Sequence, residues 1–370
     1  MPSSAGISFF PSLHHDHSLM SDHPAKRARA ATNPDPTYLR SKIWYTDGSV
    51  ILQAEQTQFR VHSSVLSLHS TVFKDMFEVV CGDGPFDTRV DGCPVVPLFE
   101  DTAQDVEIVL EILYDHKFYR TQQKSFAQVA AMWRLGQKYA FDELRDEALR
   151  RLQYTFPCAL ADFHSRYFSD GATVATIPDT YIITYPGLVF DAINLARATG
   201  LVSILPAAFF MACSASLEHR SIQQNILHGL PGASGALIHL SSADKALCIL
   251  ATTDLVEKQF NGPYSWLHSC AHHCHGNPSC YRLRNVVRDA LGVPIPRMIA
   301  LDPHMSGEEH AEQFCLNCRT ISQTVFRNRQ SMLWEQLPAV FGLPPWKELK
   351  GQMLQFVGSS CVLHESWGRR

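Results

Sequence analysis

The sequence is short of charge, and its few charges nearly cancel. Charged residues make up 18% of 370, at a formal net charge of −4, which argues against a protein that works mainly by neutralising phosphates. Long apolar runs are missing too. The most apolar stretch, Leu201–Leu217, is interrupted by Ser203, Pro206, Cys213 and Ser214. It falls short of the roughly 20 apolar residues that a membrane span needs, so a buried helix is expected there and no membrane contact. The amino terminus gathers Pro, Ser and His with no apolar core behind a basic opening. No secretory signal is therefore expected, and the protein is expected inside the cell, in nucleus or cytoplasm. There is no H-E-x-x-H, no G-x-S-x-G and no G-x4-G-K-[ST], which removes the main signatures of zinc proteolysis, serine hydrolysis and P-loop chemistry. Gly82-Asp83-Gly84 is a loop with two glycines and no following helix. Neither catalysis nor an organic cofactor is expected.

What is present suits a globular protein: 45% hydrophobic residues, and length enough for two domains of ordinary size. Eleven cysteines are spread along the chain; in a reducing compartment most are expected to be free buried thiols. Residues 1 to about 40 lack apolar periodicity and are expected to be disordered. That tail carries Lys26, Arg27 and Arg29, a short basic cluster of nuclear-import type, and His14, His15 and His17. A solvated charge cluster is the equal alternative.

The stretch Asp47–Phe77 organises the first part. Ser49–Ala54 and Gln58–His62 read as strands across the turn Glu55-Gln56-Thr57, and Tyr45-Thr46-Asp47-Gly48 as a turn after a strand at Ile43–Tyr45. Ser70 is placed to cap a helix on which Val72, Phe73, Met76 and Phe77 share a face. Cys81–Pro94 is expected as a surface loop and Val95–Phe99 as a strand. Thr102 and Asp105 open a helix with Val106, Val109, Leu110, Leu113 and Tyr114 on one side. Helices are expected at Phe126–Tyr139 and Asp142–Tyr154, with a domain edge near Pro157. Beyond it helices dominate: Leu188 to Ala196 closed by Gly200, then Val202–Ser214, Ser242–Phe260 and Glu308–Gln336. Gly229–Gly235 is expected as a flexible loop, and Pro338 and Pro344-Pro345 as breaks between short helices.

The blocks DG-x-VILQA…FRVH-x-x-VLSLHS-x-VFKDMF, VVPLFEDTAQDVEIVLEILYD and LGQKYAFDELRDEALRRL occur in the order found in BTB/POZ domains, and the first resembles those of a large fungal BTB family. The resemblance covers roughly Ser41 to Phe156. INLARATGLVSILPAAFF and WEQLPAVFGLPPWKEL resemble the carboxyl-terminal halves of the same proteins. The resemblance implies an α+β fold class: a BTB/POZ fold, with a small sheet flanked by a helical cluster, then a mainly α-helical carboxyl-terminal region. The implied division is a tail at 1–40, the BTB/POZ domain at 41–156 and the helical region at 157–370. It also implies partner binding without catalysis, through homodimer or hetero-BTB pairing, with Asp47, His62, Val72, Phe73, Met76 and Phe77 as candidate partner-binding residues. His62 has a plainer reading as a hydrogen-bonded residue at a strand-to-helix junction, and the apolar four as core. The position after His62, usually basic in the family, is Ser63. Some relatives are adaptors for cullin-type ubiquitin ligases and use an apolar-x-Glu motif before the strand at 95–99; residues 79–97 contain no Glu.

Cys270, His272, His273, Cys274, His275 and Cys280 crowd one segment, and Cys315-x-x-Cys318 follows. Two close pairs of soft ligands far apart in sequence are how structural zinc joins chain segments. The reading taken is buried thiols and surface histidines, because Phe314, Cys318, Ile321 and Val325 share one helical face and the spacing is not a standard finger frame. The alternative is a structural zinc held by Cys270, Cys274, Cys315 and Cys318, in a zinc-stapled, nuclear transcription-associated regulator. Arg282, Arg284 and Arg288 form a basic cluster beside these cysteines, but without finger spacing they read as a solvated face, and nucleic acid is not an expected partner.

Overall fold

In the computed structural model of the chain, residues 38–80, 88–115, 123–168, 181–214, 222–268, 274, 278–292, 298–303 and 313–357 are described. The basic cluster at 26–29 and the histidines at 14–17 lie outside them.

Five strands make one sheet: β1 (Leu39–Trp44), β2 (Val50–Ala54), β3 (Thr57–Val61), β4 (Arg89–Val90) and β5 (Cys93–Pro97), in the order β1-β3-β2-β5-β4. β2 and β3 are the antiparallel hairpin expected from their alternation, with Leu52 opposite Phe59. Both flanking pairs, β1 with β3 and β2 with β5, are parallel. Period two sends Val50, Leu52 and Ala54 into the main core, while Ile51 points to the other side. There it meets Cys93 and Val95 in a small second cluster with Trp44 and Val90. The sheet curls enough for Arg40 of β1 and Asp91, beyond β4 at the opposite edge, to pair at 3.0 Å.

Gly48 is needed where it stands. A Cβ there would lie 2.9 Å from Cγ of Arg60 and 3.0 Å from the carbonyl oxygens of Tyr45 and Val61, too close for a side chain. Two boundaries differ from expectation. β1 starts at Leu39, not Ile43. The second half of the expected loop Cys81–Pro94 is a β4–β5 hairpin, so β5 runs from Cys93 rather than from Val95 to Phe99. The reason lies in Asp91 and Gly92, both with positive φ (48° and 79°), the two-residue turn that an Asp-Gly pair favours between strands.

Helices α1 (Ser63–His69), α2 (Thr71–Val80), α3 (Ala103–Tyr114), α4 (Phe126–Lys138) and α5 (Asp142–Thr155) cover the core face of the sheet. The starts of α2 and α3 are capped as expected, and that of α4 is capped too. Ser70 Oγ accepts from Phe73 N–H at 2.9 Å and Thr102 Oγ1 from Asp105 N–H at 3.1 Å, while Ser125 and Gln128 form a reciprocal capping box.

The remainder is mostly helical: α6 (Leu160–Tyr167), α7 (Leu188–Thr199), α8 (Leu205–Ser214), α9 (Ile222–His228), α10 (Ser242–Asn261), α11 (Pro278–Gly292), α12 (Leu316–Val340) and α13 (Trp346–Val357). α7 ends on Gly200 at φ 74°, a left-handed cap. α8 is apolar all round and buried from Leu205 to Cys213, as a helix at the centre of a core must be. The expected flexible loop at 229–235 instead carries half of a short hairpin, β6 (Leu230–Pro231) with β7 (Leu237–Ile238).

One hydrophobic core runs from the sheet through the helical remainder. Trp133 Nε1 of α4 donates to Thr199 Oγ1 of α7 at 2.8 Å. Lys124 and Ile182 form a parallel bridge, and Arg151 of α5 donates to the Tyr181 carbonyl at 2.7 Å. Tyr38–Arg370 accordingly forms one compact unit.

α12 departs from expectation at both ends, beginning at Leu316 and running through Pro338 to Val340. A proline inside a helix removes the bond to the carbonyl four residues earlier. That carbonyl, Trp334 O, accepts instead from Trp346 Nε1 at 2.9 Å, and the two indoles stack 5.5 Å apart at 9°. No helix among the described residues is long and apolar enough to cross a membrane.

Candidate functional site

The expected partner-binding residues divide into three groups. Phe73 and Phe77 are core: Phe73 is 2% exposed and stacks on Tyr139 at 4.8 Å, with Phe77 and Phe141 at 5.7 Å. Buried there, they pack as core, the plainer of the two readings given for them. Val72 is exposed and Met76 half-buried. One turn apart on α2, they flank the Phe73/Phe77 side, and Met76 packs partly against the same core.

Beside them stands a residue that sequence reasoning passed over. Leu68 of α1 is 78% exposed. Leu66, two positions earlier, is buried, and two residues turn a helix by about 200°, so Leu68 must point outward. That rotation was the available signal. Leu68, Val72 and Met76 thus give the α1–α2 corner an apolar outer edge.

His62 and Asp47 form the third group. His62 is the residue before α1, in extended conformation, and its side chain makes no cap bond. Its N–H donates to Tyr114 Oη at 2.9 Å, its Nδ1 lies 3.1 Å from the same hydroxyl, and its Nε2 lies 3.3 Å from Asp47 Oδ1. Tyr45 stacks on Tyr114 at 4.6 Å. Asp47 is held below the usual carboxylate range, first by the His62 hydrogen bond and then by its own backbone N–H. This is the hydrogen-bonded histidine of a strand-to-helix junction.

A second feature lies in the helical region. The sulfurs of Cys274, Cys280, Cys315 and Cys318 all lie within 4.8 Å of one another. Three of these are among the four ligands of the zinc alternative read from sequence. The fourth thiol is Cys280, while Cys270 lies outside the described residues. Pro278 at the first position of α11 was the missed signal, because proline there marks a helix start and puts Cys280 in its first turn. Cys280 and Cys318 are buried, Cys274 and Cys315 half-buried, and no disulfide joins the described cysteines.

Cys315 is the residue before α12, and its N–H donates to Cys280 Sγ at 3.3 Å. The Cys318 N–H is the largest of the influences that hold the Cys315 thiol below the ordinary thiol range. Burial, the first cause, pushes the Cys280 thiol up. The neighbouring arginines do not share an open face. Arg284 is buried and Arg288 donates to the Leu267 carbonyl at 3.2 Å; of the three, Arg282 and Arg288 reach the surface.

Residues 39–155 match the family model of the BTB/POZ domain. No curated protein and no solved structure matches the chain. The matched interval begins at the first residue of β1 and ends at the last of α5, so it takes in the whole sheet and the five helices over it. This chain carries a BTB/POZ domain, followed by a helical carboxyl-terminal region.

Proposed function

We propose that the chain is a non-catalytic interaction module that pairs with a second copy of itself through the α1–α2 corner of its BTB/POZ domain. The domain family supports protein association in general. The observation that carries the finer reading is the exposed apolar pair Leu68 and Val72, with half-buried Met76 one turn beyond Val72, beside a core that holds Phe73 and Phe77. Such a patch gains by being removed from water. A second copy offers the same patch, and a two-fold interface of about 1,600 Å² in total is of ordinary size for a stable pair. The cullin-adaptor role has less support, since residues 79–97 lack the glutamate of the usual motif.

Sedimentation or light scattering at tens of micromolar is expected to show a dimer. In a two-fold interface Leu68→Asp acts twice. At about 1.5–2 kcal/mol for each lost leucine, the dissociation constant is expected to rise about 100-fold or more. Leu250→Asp, at an exposed leucine of α10, is expected to leave the assembly unchanged. A monomeric parent protein, or equal effects of the two substitutions, would remove self-pairing through this corner.

A further inference from the structure

We propose that Cys274, Cys280, Cys315 and Cys318 are the four thiolate ligands of one structural zinc ion that ties the start of α11 to the start of α12. Zinc–thiolate bonds of about 2.3 Å put tetrahedral sulfurs about 3.8 Å apart. Sulfurs that already lie within 4.8 Å need close by no more than about 1 Å to reach that shell. An iron–sulfur cluster places its inorganic core between the thiolates, and this spacing leaves no room for one. Nor does the fold require the thiols to meet as packing: hydrocarbon side chains would fill that space without bringing four ionisable groups together.

The backbone around the sulfurs suits negative charge. Cys280 is the third residue of α11, Cys315 immediately precedes α12, and Cys318 is its third residue. The first N–H groups of a helix have no partner within it and carry partial positive charge. Here the Cys318 N–H of the first turn of α12 bonds the Cys315 sulfur, and the Cys315 N–H donates to Cys280 Sγ at 3.3 Å. Hydrogen bonds of this kind orient thiolates and share the charge of a four-thiolate site, which stays at −2 after zinc binds. The Trp266 ring meets that of Phe314, the residue before Cys315, edge to face at 5.9 Å. Four protein ligands leave no open position, so the ion holds structure and carries out no reaction.

The test uses the full chain purified under reducing conditions. Elemental analysis is expected to find one zinc per chain, with X-ray absorption showing four sulfur neighbours. Replacement by Co2+ is expected to give the strong visible and sulfur-to-metal bands of a tetrahedral four-thiolate site. These readings are taken on the unmutated chain and do not depend on any variant folding. Cys280→Ser and Cys315→Ser are expected to lose the zinc, and Cys270→Ser and Cys158→Ser to retain it. Zinc far below one per chain, nitrogen in the first coordination shell, iron in place of zinc, or loss of zinc on Cys270→Ser together with retention on Cys280→Ser would each overturn the assignment.

Discussion

Trp133→Ala is expected to lower the unfolding free energy by about 3–5 kcal/mol, the range for deleting a fully buried aromatic side chain. Trp133 has no exposed surface. Its indole leaves the BTB/POZ domain through α4 and donates to Thr199 Oγ1, which in turn donates to the Leu195 carbonyl of α7 at 2.8 Å. The loss is therefore expected in both halves of the chain. Denaturant unfolding followed by far-UV circular dichroism should show the whole transition moving to lower denaturant. Trp133→Phe keeps most of the ring and removes the N–H, so it should cost about 1 kcal/mol, the net value of one hydrogen bond. If only part of the transition moves, leaving the rest of the helical signal in place, the two halves do not share a core.

The second large effect is expected at Asp101, in the turn after β5. Its side chain is buried, and it accepts from Tyr139 Oη at 2.5 Å and from Lys138 Nζ at 2.9 Å. Burial first, and Asp101 second, hold the Tyr139 hydroxyl well above the usual phenol range, so it stays a donor. Tyr139 stacks on Phe73, and its carbonyl accepts from Ser70 Oγ at 2.5 Å. One carboxylate thereby ties the loop after β5 to the end of α4 and to α2.

Asp101→Ala strands the buried hydroxyl and is expected to cost about 2–3 kcal/mol; the half-exposed Lys138 adds little. Asp101→Asn keeps an acceptor and should lose about half as much. The double change Asp101→Ala with Tyr139→Phe should cost less than the sum of the two, since it removes both ends of the bond. Chemical denaturation of the four proteins decides it. Strict additivity would mean that the pair contributes nothing.

Features resting on neighbours in sequence were the readable ones. The β2–β3 hairpin, the caps at Ser70 and Thr102 and the left-handed Gly200 follow from residues within a few positions of one another. Each depends on local backbone geometry and alternation, which a linear reading sees directly. One error arose where a distant residue changed the local balance. Pro338 reads as a helix break, yet α12 continues because Trp346, twelve residues away by the hydrogen bond it makes, takes the freed Trp334 carbonyl.

The same division applies to function. The amino-acid order alone determined the domain type and the small-sheet-and-helix architecture, through the resemblance of its blocks to BTB/POZ domains, and the presence of two thiol-rich segments, which spacing carries directly. Only the folded chain decided which apolar side chains of α2 turn inward, that Leu68 stands outside, and that Cys280 joins Cys274, Cys315 and Cys318. Burial and convergence are set by helices packing across dozens of residues, and no local pattern records which face a neighbour will cover.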